Sequence, residues 1–406
     1  MSDPLRPGYK QTEVGVIPED WEARQIGDLH PFVTSGSRGW ATFYTDYGAP
    51  FIRITNLTRG SIYLDLSDLR FVNLPAGNSE GVRTQLQVGD VLISITADIG
   101  IIGYVSTQVP RPAYINQHIA LVRFSSSTDP KFVSYFLASE KPQKLFRAFT
   151  DSGAKAGMNL TTVKQIRLAL PPTKAEQEAI AEALSDADAL IESLSLLLAK
   201  KRHLKQGAMQ QLLTGKKRLP GFSEEWAVKR LGEIAEIVMG QSPSSAHYNN
   251  KGDGLPLIQG NADISNRKTI KRVFTTEVTK RGRRGDILMS VRAPVGEISR
   301  AVFDICLGRG VCAIRYPNEF LYHALIAKEP TWAKLSKGST FDSVNSTDVK
   351  AFGIEMPTDD TEQTAIATIL SDMDAEITAL EEKLAKARAL KQGMMQELLT
   401  GRIRLV

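Results

Sequence analysis

The chain has 406 residues, with 50 Lys and Arg against 45 Asp and Glu for a net charge of +5. At about 150 residues per domain this length predicts two or three domains, and 42% apolar with 23% charged residues is the make-up of a folded globular chain, not a disordered one. No run approaches the roughly 18 apolar residues needed to span a bilayer, the N-terminus lacks the apolar stretch of a secretory signal, and two cysteines exclude a disulfide scaffold and fit a reducing cytoplasm.

The first 165 residues read as a mixed α/β domain. Short β-branched or aromatic runs, Phe51-Ile52-Arg53-Ile54, Val91 to Ile95 and Ile119 to Val122, predict strands, and Phe132 to Leu137 a late helix. Polar, glycine-rich loops lie between them and offer Ser37, Arg38, Arg53, Thr55, Asn56, Thr96, Gln117, His118 and Lys155. Residues 166–216 then form a helical segment. Thr173 and Glu176, after Pro171-Pro172, predict a capping box in which both side chains satisfy free backbone N–H groups. Ile180, Leu184, Ala187, Ile191, Leu194 and Leu198 follow three or four residues apart, as a coiled-coil seam requires. Gly215 is placed to end the helix.

Residues 217–352 repeat the mixed α/β pattern, with a late helix from Phe320 to Leu325. Its loops carry Gln241, Ser242, Ser244, Gln259, Asn261, Arg292, Arg309, Lys337 and Thr340. A basic stretch, Arg267-Lys268, Lys271-Arg272 and Lys280 to Arg284, is suited either to phosphate contact or to a solvated face. Residues 353–406 return to helix: Asp359 and Glu362 at the start, a seam of Ile366, Leu370, Met373, Ile377, Leu380, Leu384 and Ala387, and Gly401 at the end. A helix of about 40 residues is roughly 60 Å long.

The two helical segments are one sequence twice: the stretch from Glu176-Gln177 to Leu219 aligns without a gap on Glu362-Gln363 to Leu405, and most positions are identical. The domains repeat more weakly, in Trp21 with Trp226, Gly89-Asp90-Val91-Leu92-Ile93-Ser94 with Gly285-Asp286-Ile287-Leu288-Met289-Ser290, and Ala120 to Phe124 with Cys312 to Tyr316. Acid gathers early in each helix (Glu176, Glu178, Glu182, Asp186, Asp188) and base late (Lys200, Lys201, Arg202, Lys205), so two antiparallel copies match charge where parallel copies would oppose it. The predicted fold is α+β and pseudo-twofold: two similar mixed α/β domains separated by two long antiparallel helices that form an intramolecular coiled coil. Gly207 and Gly393, inside the helices, suit either a close backbone approach by a partner or a kink.

Matching loops carry different Arg, Asn, Gln and Thr residues, the types that read base edges: Arg against guanine, Asn or Gln against adenine. The chain lacks a phosphate-binding G-x-x-x-x-G-K-[ST] loop, H-E-x-x-H, zinc-ligand spacing at Cys306 and Cys312, an Asn-Pro-Pro-aromatic segment, and a dinucleotide- or S-adenosylmethionine-type glycine turn. It reads as a binder without a catalytic site of its own, with neither metal nor cofactor held by the chain. A nucleic-acid-binding coiled-coil scaffold is the alternative reading of the same features.

Three phrases join the repeat: Pro171-Pro172 with Glu176-Gln177 and Ile180; Leu204-Lys205-Gln206-Gly207 through Leu212-Leu213-Thr214-Gly215; and Gly285-Asp286-Ile287-Leu288. With the lead-in Gly15 to Trp21, they make the whole chain resemble the DNA-specificity subunit of a type I restriction-modification enzyme. The resemblance implies two target-recognition domains (residues 1–165 and 217–352), each reading half of a bipartite double-stranded DNA site. It implies helical spacers (166–216 and 353–406) that set the gap and dock two modification subunits. S-adenosylmethionine, ATP and Mg would belong to those subunits and to restriction (motor-nuclease) subunits, in a cytoplasmic complex that methylates adenine and cleaves DNA. Thr96-Ala97-Asp98-Ile99 stands where the second domain has Arg292-Ala293-Pro294-Val295, which fits unlike half-sites.

Overall fold

The computed structural model describes residues 7–75, 77–151, 157–336 and 343–405. The chain forms two compact units, one of residues 1–195 with 383–406 and the other of residues 196–382. Each long helix therefore contributes its first part to one unit and its last part to the other.

In the first unit, strands Phe32–Ser35, Ile119–Arg123, Val91–Ser94 and Ile102–Tyr104 lie in that order in an antiparallel sheet. The two central strands are buried on both faces, which is why they read as continuous apolar runs and not as alternating ones. A second sheet runs Tyr114–Ile115, Ala49–Ile52, Arg70–Val72, Tyr44–Thr45. The expected Phe51–Ile54 strand stops at Ile52: Asn56 Oδ1 accepts the Arg53 N–H at 2.9 Å and turns the chain into a short 3-10 helix, Ile54–Asn56. Strand Glu22–Gln25 pairs with Arg167–Leu170 and ties the domain's start to its end. The late helix is Pro130–Ala138, its N-terminus capped by Asp129 and opened by Pro130.

The second unit repeats this scheme. Glu236–Met239, Val311–Arg315, Ile287–Ser290 and Ile298–Arg300 form the corresponding sheet, extended by Lys268–Thr269 and Ile264–Ser265. A second sheet centres on Leu255–Ile258 and Ile305–Leu307, Trp226–Arg230 pairs with Gly353–Pro357, and the late helix is Phe320–Ala327.

The repeated phrases prove to be matching contacts. Asp90, fully buried, accepts two hydrogen bonds from Arg123, at 2.6 and 2.7 Å, and one from the Gln87 N–H at 2.7 Å. Asp286 does the same with Arg315, at 3.0 and 3.2 Å, and with the Arg283 N–H at 2.9 Å. The Gly-Asp phrase and the later Arg are thus two ends of one clamp across neighbouring strands. Trp21 meets Phe132 edge-on at 6.3 Å, and Trp226 meets Phe320 edge-on at 6.0 Å.

The helices Lys174–Leu212 and Asp360–Leu398 span 39 residues each. Within the second unit Arg218, Lys205 and Lys201 pair with Glu362, Asp374 and Glu376; one series falls as the other rises, so the helices run antiparallel. Within the first unit Asp188 pairs with Lys391 and Glu176 with Arg404, in the same sense. The seam is buried at Ile180, Leu184, Leu198, Ile366, Leu370, Ile377, Leu384 and Ala387. Gly215 and Gly401 end the helices at φ +65° and +68° and lie against Trp226 and Trp21. Gly207 and Gly393 face open space, with no described residue close to either.

One expectation is corrected here. Thr173 Oγ1 does accept the Glu176 N–H at 3.3 Å, but the Glu176 carboxylate turns away from the helix end to Arg404, which also holds Asp20 at 2.9 and 3.0 Å. Glu362 likewise takes Arg218 in a two-point pair at 2.7 Å. A charged, two-point partner outweighs a weak bond to one exposed N–H. Gln177 and Gln363 brace the same helix starts, donating to Pro171 O and Pro357 O. Their Oε1 atoms receive the Asp129 N–H and the Tyr316 hydroxyl.

Two outcomes follow. Arg123→Met leaves the buried Asp90 carboxylate without its cation and is expected to cost about 3–5 kcal/mol in denaturant unfolding at pH 7; adding Asp90→Asn recovers much of that loss, and a single variant within 1 kcal/mol of wild type contradicts the clamp. His323 occupies the place of Tyr135 and is 1% exposed, its Nε2 3.0 Å from Ser371 Oγ. Burial pushes its imidazole down to about 4, with Lys205 and Arg300 adding to that and Asp374 opposing it. The folded form therefore takes up a proton less readily than the unfolded chain, so the stability it confers is whole above pH 6.5 and is lost as pH falls toward 4. Between pH 7 and 5 the loss is expected to be about 2 kcal/mol, abolished in His323→Gln.

Candidate nucleic-acid interface

In the first domain three backbone contacts draw the polar loops to one end of the sheets. Gly36 N–H donates to Asn116 O at 3.2 Å, Asn116 N–H to Ile52 O at 3.2 Å, and Ile95 N–H to His118 O at 2.9 Å. A side chain on Gly36 would collide with the backbone of Ile115 and Asn116, so only glycine permits this approach. Ser37, Arg38, Arg53, Thr55, Thr96, Gln117 and His118 are carried on these loops. Thr96 Oγ1 is hydrogen-bonded to His118 Nδ1, and His118 Nε2 lies 3.0 Å from Gln117 Nε2. Arg38 and Thr55 are exposed, and Arg38 has no side-chain partner among the described residues. Arg53 leans on Asp68 at 3.1 Å.

Asn56 is placed otherwise. It is 2% exposed, and its amide is consumed by the Arg53 N–H, Asp65 O and Asp68 O. It closes the loop and presents nothing to a ligand. Lys155 lies outside the described residues.

Two of the first domain's three bonds recur in the second domain: Gly308 N–H donates to Ile258 O at 2.8 Å and Val291 N–H to Gly310 O at 2.9 Å, while Gly240 N–H turns to Val311 O at 3.0 Å and Gln241 N–H donates to Leu307 O at 2.9 Å. Gly240 and Gly310 leave no room for a side chain against Gly308 O and Gln259 O. Gln241, Gln259, Arg292 and Arg309 are exposed around this junction. Ser242 Oγ accepts the Arg309 N–H at 3.2 Å, and Asn261 Nδ2 donates to Glu297 at 2.5 Å. Ser244 caps a short 3-10 helix, Ser245–His247, and its own N–H donates to Glu277 at 2.8 Å. Lys337 and Thr340 lie outside the described residues. Asp263 takes the part Asn56 plays in the first domain, accepting the Gln259 N–H at 2.8 Å.

Some residues that shape these loops carried no sequence signal as such. Ser94, wholly buried, donates to Asp98 O at 2.5 Å and accepts the Ile101 N–H at 2.7 Å. Ser290 donates to Pro294 O at 2.6 Å and accepts the Glu297 N–H at 2.9 Å. One hydroxyl thus braces each of two unlike loops, Thr96-Ala97-Asp98 and Arg292-Ala293-Pro294. Arg83 binds Ser35 O at 2.6 Å and Ser37 Oγ at 3.0 Å. The basic stretch of the second domain is partly neutralised internally: Arg267 pairs with Glu329, Arg272 with Asp263 and Arg281 with Asp304, while Lys271 lies over the Phe303 ring. Lys268, Lys280, Arg283 and Arg284 remain exposed.

Among the described residues no cluster of His, Cys, Asp or Glu could hold a metal ion, and no helix is long and apolar enough to cross a membrane. Two copies of one rigid frame presenting unlike polar loops define a protein of two sequence-reading domains. The type I restriction modification DNA specificity domain family matches residues 18–200 and 223–387, and the chain belongs to that family. It is 30% identical to the type I restriction enzyme MjaX specificity subunit of Methanocaldococcus jannaschii over 98% of this chain and 97% of the relative. Its fold is similar to that of the type I restriction-modification system S subunit from M. genitalium, with 16% identity, 97% of each chain covered and a TM-score of 0.66. A chain from a structure on complex assembly and conformational transition of the type I R-M system is also similar, with 23% identity, 95% and 99% covered and a TM-score of 0.55. The chain is a DNA-specificity subunit, of a family that is itself non-catalytic.

The serine brace has a direct test. Ser94→Ala strands the buried Ile101 N–H and is expected to cost about 1–3 kcal/mol, while Ser290→Ala frees the Glu297 N–H at a half-buried site and is expected to cost about 1 kcal/mol. Amide hydrogen exchange should quicken at Ile101 in the first variant and at Glu297 in the second, each in its own domain only.

Proposed function

We propose that each domain reads one half of a bipartite duplex DNA site through its gathered loops, and that the two long helices set the gap between the halves and dock two modification subunits. Those subunits bring S-adenosylmethionine for adenine methylation; restriction subunits bring ATP and Mg for cleavage, and the complex works in the cytoplasm. This chain supplies the address and no chemistry. The observation that carries the reading is the repeated loop junction, where two equivalent backbone bonds, Asn116 N–H to Ile52 O with Gly308 N–H to Ile258 O and Ile95 N–H to His118 O with Val291 N–H to Gly310 O, hold different side chains in the two domains. A single small domain makes few base contacts, each worth about 1–3 kcal/mol of discrimination. Two domains on one chain add their discriminations while the entropy of association is lost largely once.

Co-production with the modification subunit, followed by mapping of methylated adenines, is expected to return two unlike half-sites at a fixed separation. Deleting seven residues within Leu184–Leu198 and the seven matching residues of the second helix keeps the seam in phase and removes about 10 Å of helix. The gap is then expected to shorten by about three base pairs, at ~3.4 Å each, with both half-sites unchanged. Altered half-sites with an unaltered gap contradict the spacer role.

A further inference from the structure

The internal repeat provides its own control for which base each loop suits. The bond from Ile95 N–H to His118 O joins the chain neighbours of Thr96 and Gln117 in the first domain. The equivalent bond from Val291 N–H to Gly310 O joins the chain neighbours of Arg292 and Arg309 in the second. The same two places therefore hold Thr and Gln in one domain and two arginines in the other. From this juxtaposition we propose that Arg292 and Arg309 are a guanine-reading pair and that the half-site of the second domain contains guanine at the positions they face. The proposal rests on the reading of each domain as the reader of one half-site.

Three observations carry it. First, the two guanidinium groups are uncommitted: among the described residues neither has an ion pair or side-chain hydrogen bond, whereas Arg267, Arg272, Arg281, Arg300 and Arg315 of the same domain each pair with a carboxylate. Second, their loops are held before any ligand arrives. Val344 N–H donates to Val291 O at 3.0 Å and Arg309 N–H to Ser242 Oγ at 3.2 Å, while Ser290 fixes the other end of the Arg292 loop through Pro294 O at 2.6 Å. A side chain on a fixed loop loses less entropy when it binds. Third, the rigid planar fork of an arginine matches guanine O6 and N7 with two parallel hydrogen bonds. Threonine and glutamine at the first domain's pair have no such fork, and Gln117 suits adenine instead.

The test maps methylated sites for the full chain with its modification subunit, comparing wild type with Arg292→Ala and Arg309→Ala. Both positions are exposed, so alanine is accommodated, and equal thermal melting confirms folding. The expected wild-type consensus is asymmetric, with guanine in the second domain's half. Each alanine variant is expected to lose about ten- to a hundred-fold of the preference for guanine at one position, with the other half-site and the gap intact. Guanine retained in both variants, or affinity lost evenly over all sequences as for a phosphate contact, overturns the proposal. So does a second half-site without guanine in the wild type, an outcome that needs no variant to fold. A wild type without any bipartite consensus overturns the half-site reading as well, so the two failures are distinguishable.

Discussion

A carboxylate withdrawn from water needs a cation delivered to it, and the whole construction depends on where those cations come from. Asp90 and Asp286 receive theirs from the neighbouring central strand, which locks the sheet of each domain. Glu176 and Glu362 receive theirs from beyond the end of the other long helix, from Arg404 and Arg218. Because the donors are remote in sequence, each pair closes a long loop of chain. The energetic argument is asymmetric: a buried pair adds little over an apolar replacement, but half of one is costly. These pairs therefore act chiefly against alternatives, since a slipped helix or a mispaired strand would strand a buried charge.

That rigidity explains how unlike loops share one frame. The junction that gathers them is made of backbone N–H and C=O groups, of glycines that admit close approach, and of one buried serine hydroxyl per domain. Side chains such as Arg38, Arg292 and Arg309 take no part in it. Electrostatics sorts the arginines further. Arg267, Arg272 and Arg281 are satisfied within the second domain and contribute little net field, which leaves the local positive potential to the exposed lysines and arginines beside them.

The long-period features were legible from sequence. The seam, the antiparallel sense and the helix-ending glycines followed from residue spacing and charge polarity, because those are properties of one helix and its copy. The late helices and buried strands were legible for the same local reason. The partners of Asp90 and Glu176 were not. Thr173 and Glu176 have the form of a capping box, and nothing within a few residues reveals that Arg404 competes for the same carboxylate and prevails. Asn56 shows the other limit. An asparagine in a polar loop is equally suited to reading adenine and to closing a turn, and only its 2% exposure, with both ends of the amide engaged, decides for the turn. Ser94 and Ser290 stood in plain view inside the Gly-Asp phrases, but a serine that ends a strand carries no mark of the loop it braces.

The contrast between Asn56 and Arg292 then states a general condition for a reading residue in this frame. Asn56 and Asp263 hold loops by their side chains, so replacing either disturbs the loop before it can change what the loop reads. Arg292 and Arg309 sit on loops closed entirely by other groups, and their side chains are free to differ between the domains at little cost in stability. Separating the atoms that shape a loop from the side chains it exposes allows one duplicated frame to carry two unlike surfaces, and it places the search for base readers among exposed residues that make no internal bond.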